Sequence, residues 1–159
     1  MESQITNKDL RCLDIAYNAA HHCTLQKFQL GACLRLKKKD ICWGFANTRS
    51  KVGKYSISSV HAEMDVLLKS NIRLKNPKHA TVYVVRISLD GSLRNAKPCS
   101  HCVVLMKRCN IRFCCWSTGD ETAPFTKAMV RMLDKDHLSR CQRRFLNKER
   151  HKGKFPDFL

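Results

Sequence analysis

The chain predicts an α/β protein: a three-layer α/β/α sandwich whose central mixed β-sheet is flanked by helices. Three observations carry that expectation. Apolar residues recur at helical spacing near the start of the chain, and residues 28–36 ("FQLGACLRL") are apolar at every even position. Residues 81–87 ("TVYVVRI") are β-branched and almost continuously apolar, as a strand covered on both faces requires. In order, the elements read helix, hairpin, helix, strand, helix, strand, helices, and this alternation places helices on both sides of one sheet.

Asn7 is a suitable cap for a first helix over about residues 8–20, with Leu10, Leu13, Tyr17 and Ala20 at helical spacing. The alternating stretch 28–36 is a strand. "KKKD" at 37–40 supplies a polar turn, and "ICWGFAN" at 41–47 returns as the second arm of a hairpin. The loop "TRSKVGKYSISS" leads into a helix over about 60–69, with Val60, Met64, Leu67 and Leu68 on one face. After the strand at 81–87 and a turn at Asp90-Gly91, a helix spans about 99–109 and a strand 111–117. Residues 124–134, with Phe125, Met129, Met132 and Leu133 on one face, and residues 137–149 read as helices.

The 159 residues imply one domain, with a core over about 8–117 and a basic helical extension over about 119–159. A hydrophobic content of 43% and a charged content of 27% fit a globular protein rather than a disordered or fibrous one. The polar start "MESQITNKDL" lacks the basic and apolar regions of a secretory signal, and no apolar run is long enough to span a membrane. Ten cysteines without such a signal point to reduced thiols, many in the core. The expected location is the cytoplasm or the nucleus rather than the cell exterior. The net charge of +17 predicts attraction to polyanions, so the expected partner is a nucleotide or single-stranded nucleic acid, with no membrane involved. The sequence also leaves room for a homo-oligomer.

Two short motifs carry the chemistry. "HAE" at 61–63 opens one helix and "PCSHC" at 98–102 opens the next. Cys99 and Cys102 are three apart on a helix, so both sulfurs can grip one ion. Pro98 sits where a missing N–H costs nothing, and the helix N-termini favour thiolates. From this composition the two motifs coincide by chance in about 0.3% of chains. A redox pair would need a thioredoxin-like context, and a structural zinc site would need four N/S ligands. The near neighbours His101, Cys109 and Cys114-Cys115 project elsewhere or fall on a later strand. His61, Cys99 and Cys102 then leave the fourth position open, which is the catalytic arrangement, with one Zn2+ per chain and Glu63 beside its water. Zinc lowers the pKa of bound water from 15.7 to about 7, and an adjacent carboxylate can pass the proton to a leaving nitrogen.

The pattern H-x-E…P-C-x-x-C resembles the signature of the cytidine/deoxycytidylate deaminase superfamily, the zinc-dependent nucleobase deaminases that include tRNA adenosine and polynucleotide cytidine deaminases. The resemblance covers about residues 8–117 and implies a cytidine-deaminase-like fold and a hydrolase acting on C–N bonds. It makes His61, Cys99 and Cys102 the zinc ligands and Glu63 the catalytic proton shuttle. It also implies that Asn47, in "FANTRS", and the backbone N–H of Ala62 bind the base. Two departures stand out. Asn95-Ala96-Lys97 replaces the Ser-Trp-Ser of APOBEC-type enzymes, and "SLDGSLRNAK" (88–97) inserts ten residues where tRNA adenosine deaminases run almost directly into Pro-Cys.

Four functions follow from these features. The first is conversion of cytosine to uracil within nucleic acid, and the second is deamination of free cytidine or deoxycytidylate. The third is adenosine-to-inosine conversion on RNA, and the fourth a non-catalytic zinc-containing nucleic-acid-binding module. The basic tail, with Arg140, Arg143, Arg144 and Lys148, is either a phosphate-gripping helix or a solvated face. Arg86 is either an ion-pair partner or a phosphate contact, and His101 a rim residue or a solvated one. Tyr55 and Trp116 could stack on a base, with the core the better place for Trp116.

Overall fold

The computed structural model describes residues 4–25, 28–36, 41–47, 51–52, 55–56, 60–71 and 79–133. Along these residues the elements are α1 (Asn7–Ala20), β1 (Gln29–Arg35), β2 (Ile41–Phe45), β3 (Lys51–Val52), β4 (Tyr55–Ser56), α2 (Ala62–Lys69), β5 (Thr81–Ile87), β6 (Leu93–Arg94), α3 (Ser100–Arg108), β7 (Phe113–Ser117) and β8 (Phe125–Met129), followed by a 3-10 turn at Val130–Met132. The main sheet has the order β2-β1-β5-β7-β8, with β6 added to β5. β5 and β7 are parallel and the other pairs antiparallel, so the sheet is mixed as expected. The expected helix over 137–149 lies outside the described residues. Among the described residues no helix is long and apolar enough to cross a membrane.

Strand parity explains the three layers, because successive side chains point to opposite faces. Ala32, Leu34, Val82, Val84, Cys114 and Trp116 pack with α2 and α3. Cys33, Tyr83, Val85, Ile87 and Cys115 pack with Cys12, Leu13, Ala16 and Ala20 of α1. Alternate residues thus feed two separate cores, and this is why 81–87 is apolar at nearly every position. Gly31 is needed where α1 crosses β1: a Cβ there would lie 2.1 Å from the Ala16 carbonyl oxygen. None of the nine cysteines among the described residues forms a disulfide.

Some local expectations are corrected. The cap of α1 is Thr6 rather than Asn7: its hydroxyl accepts from the Asp9 backbone while the Asp9 carboxylate accepts from the Thr6 backbone, a capping box. Leu10 and Leu68 face outward, 45% and 42% exposed, so the buried stripe of α2 runs through Ala62, Glu63, Val66 and Leu67 instead. Within the expected helix 124–134, the described residues 124–133 do not form an α-helix. Phe125–Met129 form a fifth long strand against β7, in register from Phe113 opposite Met129 to Ser117 opposite Phe125. Without it β7 would present a row of unpaired backbone groups, and pairing overrides the helical spacing of the apolar residues. The reversal at 118–124 is built from Gly119 at φ +82 and an Asp120 side chain that accepts from Thr122.

Asp9, which closes the capping box of α1, is also the fold's polar tie. It is fully buried and its carboxylate accepts from Tyr83 Oη at 2.7 Å, Lys127 Nζ at 2.8 Å and Arg35 at 3.3 Å. One side chain of α1 therefore binds β1, β5 and β8. Burial alone would raise its pKa, but Lys127, Tyr83 and Thr6 together hold the carboxyl well below the usual range. Asp9→Asn leaves two buried or half-buried cations without their partner and is expected to lower the unfolding free energy by about 3–5 kcal/mol. Because the folded pKa is depressed, this stabilisation is present above about pH 4 and lost as pH falls further. Urea unfolding of wild type and variant at neutral and acid pH checks both statements. Equal stabilities at neutral pH would reduce the network to decoration.

Candidate metal centre

Two helix starts converge to make the site. His61 is the N-cap residue of α2 and Cys99 that of α3, both with extended backbone and neither using its side chain as a cap. Those side chains are thus spare, and Cys102 lies one turn into α3 on the same side as Cys99. The structure brings the three together. His61 Nδ1 lies 3.4 Å from Cys99 Sγ and 3.5 Å from Cys102 Sγ, and all three donor atoms fall within 4.8 Å of one another.

This donor set fits zinc. Tetrahedral bonds of about 2.3 Å to sulfur and 2.05 Å to nitrogen require an N···S separation of roughly 3.6 Å, close to both distances. A hydrogen bond from Cys102, with a further one from His61, holds the Cys99 thiol well below the ordinary cysteine range against the opposing effect of burial. Cys99 is thereby favoured as a thiolate, whereas the same hydrogen bond and burial push the Cys102 thiol up. Three ligands from two helix starts leave the fourth position of a tetrahedron open.

Around this triad lie the other predicted residues. Glu63 is 3% exposed, and its Oε2 is buried without a hydrogen-bond partner. Burial pushes its carboxyl up, with the His61 charge pulling the other way. Ala62 is the first residue of α2, where a backbone N–H has no acceptor within the helix. Asn47 leaves β2 and forms an isolated bridge with Val60, its N–H donating to the Val60 carbonyl at 3.1 Å and its carbonyl accepting at 2.9 Å. This bridge sets Asn47 beside the residue that precedes His61. Its Nδ2 donates to the Phe45 carbonyl, while its Oδ1 is buried without a partner. Buried polar atoms are rarely orphaned, and two of them belong to Glu63, two residues after His61, and to Asn47, bridged to the residue before it.

The remaining candidates separate. Trp116 belongs to the core with Val84, Val103 and Met106, the better of the two places expected for it. His101 is exposed on the first turn of α3. Arg86 makes no ion pair among the described residues; its guanidinium lies over the Phe28 ring, 4.7 Å from the centroid. Arg140, Arg143, Arg144 and Lys148 lie outside the described residues, as does the side chain of Tyr55. Sequence reading missed Ser117, whose buried hydroxyl accepts from the Arg86 backbone and donates to the Arg94 carbonyl, fixing the loop that leads to Cys99. A lone serine at a strand end gives no signal for that role.

Comparison with known proteins agrees with the geometry. Residues 6–118 match the family model described as the cytidine and deoxycytidylate deaminase zinc-binding region. Comparison with curated protein sequences returns no match. Among solved structures, the cytidine deaminase from Burkholderia pseudomallei superposes with a TM-score of 0.58 at 14% identity, over 84% of this chain and 100% of that one. The dCMP deaminase from the cyanophage S-TIM5 gives 0.51 at 14% identity, over 74% and 91%. The cytidine deaminase from Mycobacterium tuberculosis gives 0.51 at 15% identity, over 85% and 99%. At such identities these structures speak for the fold. With the family match covering most of the chain and three zinc-competent donors in place, the chain belongs to the cytidine and deoxycytidylate deaminase family and is a zinc-dependent hydrolytic deaminase of C–N bonds.

Proposed function

We propose that the chain converts a cytosine base to uracil within a single strand of nucleic acid. The observation that carries the choice of a polyanionic substrate is the net charge of +17, far more than solubility needs. In this reading His61, Cys99 and Cys102 hold zinc. Bound zinc supplies acidity, bringing the pKa of water from 15.7 to about 7.

The chain's own residues do the rest. Glu63 takes a proton from the attacking water and gives it to N3 as C4–O forms, then passes the remaining hydroxyl proton to the exocyclic nitrogen, so that C4–N breaks, C4=O is left and ammonia leaves. Its unpartnered Oε2 is free for that exchange. Asn47 offers its orphaned Oδ1 to a donor on the substrate, and the N–H of Ala62 a hydrogen bond to the base. The surrounding core, with Val84, Val103 and Trp116, keeps bulk water from the far side.

A second reading, deamination of a free nucleoside or nucleotide, draws support from two solved structures of similar fold, which are named cytidine deaminase and dCMP deaminase. Incubation with deoxycytidine, deoxycytidylate, single-stranded DNA and RNA, with release of ammonia as the readout, separates the two. Turnover of cytosine-containing strands, weakened steeply by salt, is the expected result. Turnover of monomers alone would replace it with the second reading. Adenosine-to-inosine conversion in RNA would overturn the cytosine assignment.

A further inference from the structure

The ten-residue insertion ahead of Cys99 builds a feature that the metal centre does not use. Within it, β6 pairs with the end of β5 so that Arg86 stands directly opposite Arg94. Opposed residues in an antiparallel pair have Cβ atoms only about 4.5–5.5 Å apart, and like charges there repel. Among the described residues neither arginine forms an ion pair that would relieve this. Asp90 places one negative charge near Arg94, and its Oδ1 accepts from Ser88 and Ser92 rather than from either guanidinium.

The rest of the surroundings suit an anion. Phe28, Arg86, Ile87, Ser88, Arg94 and Asn95 line a cleft of about 380 Å³, within the range of small-molecule sites. Arg86 Nε is buried without a hydrogen-bond partner. Its Cζ lies 4.7 Å from the Phe28 ring centroid, a cation–π contact that uses none of its N–H donors in a hydrogen bond. Ser117 fixes both arginine backbones, so the pair is preorganised. By strand parity Arg86 shares the sheet face of Val82 and Val84, the face on which α2 and α3 lie. Asn95 is four residues from Cys99, so its Cα is no more than about 14 Å from that of the metal ligand.

We infer that this cleft is a phosphate subsite, in which Arg86 and Arg94 together grip a phosphate group of the substrate while its base enters the metal centre. That the phosphate belongs to the substrate rests on the proposed function; that the two arginines bind phosphate does not. The ligand chemistry is a phosphate ester, either the terminal monoester of a nucleotide or a diester within a strand. An anion between the two guanidinium groups turns a repulsive pair into two charge-assisted contacts.

Calorimetric titration of the zinc-loaded full chain tests it, with deoxycytidine monophosphate and a short oligothymidylate as probes. Wild type is compared with Arg94→Gln and with Arg86→Gln/Arg94→Gln. For at least one probe the affinity should fall about tenfold in the single variant and further in the double, with zinc content and melting temperature retained. Loss confined to the mononucleotide identifies a monoester site. Loss for the oligothymidylate, with its salt slope reduced by about one per arginine, identifies a diester site. Arg94 is exposed, so the single variant keeps the test valid even if the double variant folds poorly. Unchanged affinity for both probes overturns the subsite. Arginine-dependent binding without any cytosine conversion by wild type would overturn the proposed function and leave the subsite standing.

Discussion

Glu63→Gln is expected to abolish most deaminase turnover while leaving the zinc in place. The substitution keeps the size and hydrogen-bonding reach of the side chain but removes its ability to carry a proton. General acid–base groups contribute typically 10²–10⁴-fold, and in the proposed mechanism one carboxylate serves both proton transfers, so a loss of about 10⁴ in kcat is the natural expectation. The buried, unpartnered Oε2 of Glu63 sharpens the argument. A burial of this kind costs stability, and a folded chain tolerates it where the group is needed for chemistry. Melting temperature in the variant should therefore match or exceed that of wild type. Ammonia release, zinc content by atomic emission and a thermal melt on the same preparation give the three readings. Full activity in the variant would remove Glu63 from the mechanism.

Loss of zinc together with activity is the expected result of Cys102→Ser. A neutral hydroxyl is a poorer zinc ligand than a thiolate, and the shorter C–O bond draws the donor away from its partners. Altering even an outer-shell partner costs 10–100-fold in metal affinity, so replacing a direct ligand should cost more than about 100-fold. Cys109→Ser supplies the comparison. Cys109 is also buried, but it closes the C-terminal end of α3 and is not one of the clustered donors. The Cys109 variant should retain about one zinc per chain through a mild chelator wash, whereas the Cys102 variant should lose it. Equal retention by the two would mean that the metal sits elsewhere. Zinc stripped from wild type by a stronger chelator should abolish turnover, and added zinc should restore it.

The metal centre was legible in the sequence because its parts are local. His61 and Glu63 fall within one short motif, Cys99 and Cys102 within another, and each motif opens a helix whose start is itself readable from Pro98 or from the apolar spacing that follows. Zinc coordination then restricts which residue types can meet. The sheet core was legible for a similar reason: β-branched runs and the hairpin turn are properties of neighbouring residues. The apolar residues of 125–133 defeated this logic. Their spacing is helical, yet Phe125–Met129 form β8 because β7 offers hydrogen-bonding partners that no local pattern records.

The residues that bind across the fold were also hidden. Asp9 earns its place through Arg35, Tyr83 and Lys127, which lie as far as 118 positions away. Arg86 could be read from sequence as a structural ion pair or as a phosphate contact, with nothing to choose between them. The pairing of β5 with β6 sets Arg94 directly against it and leaves both without an ion pair among the described residues. That register is a property of the folded insertion.

By itself, the sequence determined the α/β class, the three metal donors and the acidic residue beside them, since spacing along a helix or strand sets which side chains share a face. Only the tertiary structure decided which distant side chains meet. It closed the His–Cys–Cys triangle to within 4.8 Å, set Asn47 against Val60, and turned the insertion before Cys99 into a cleft with two opposed arginines. The physical reason is the range of the interactions. Periodicity is fixed by the backbone over a few residues, whereas ion pairing, strand register and the exclusion of water are fixed only once the whole sheet has formed.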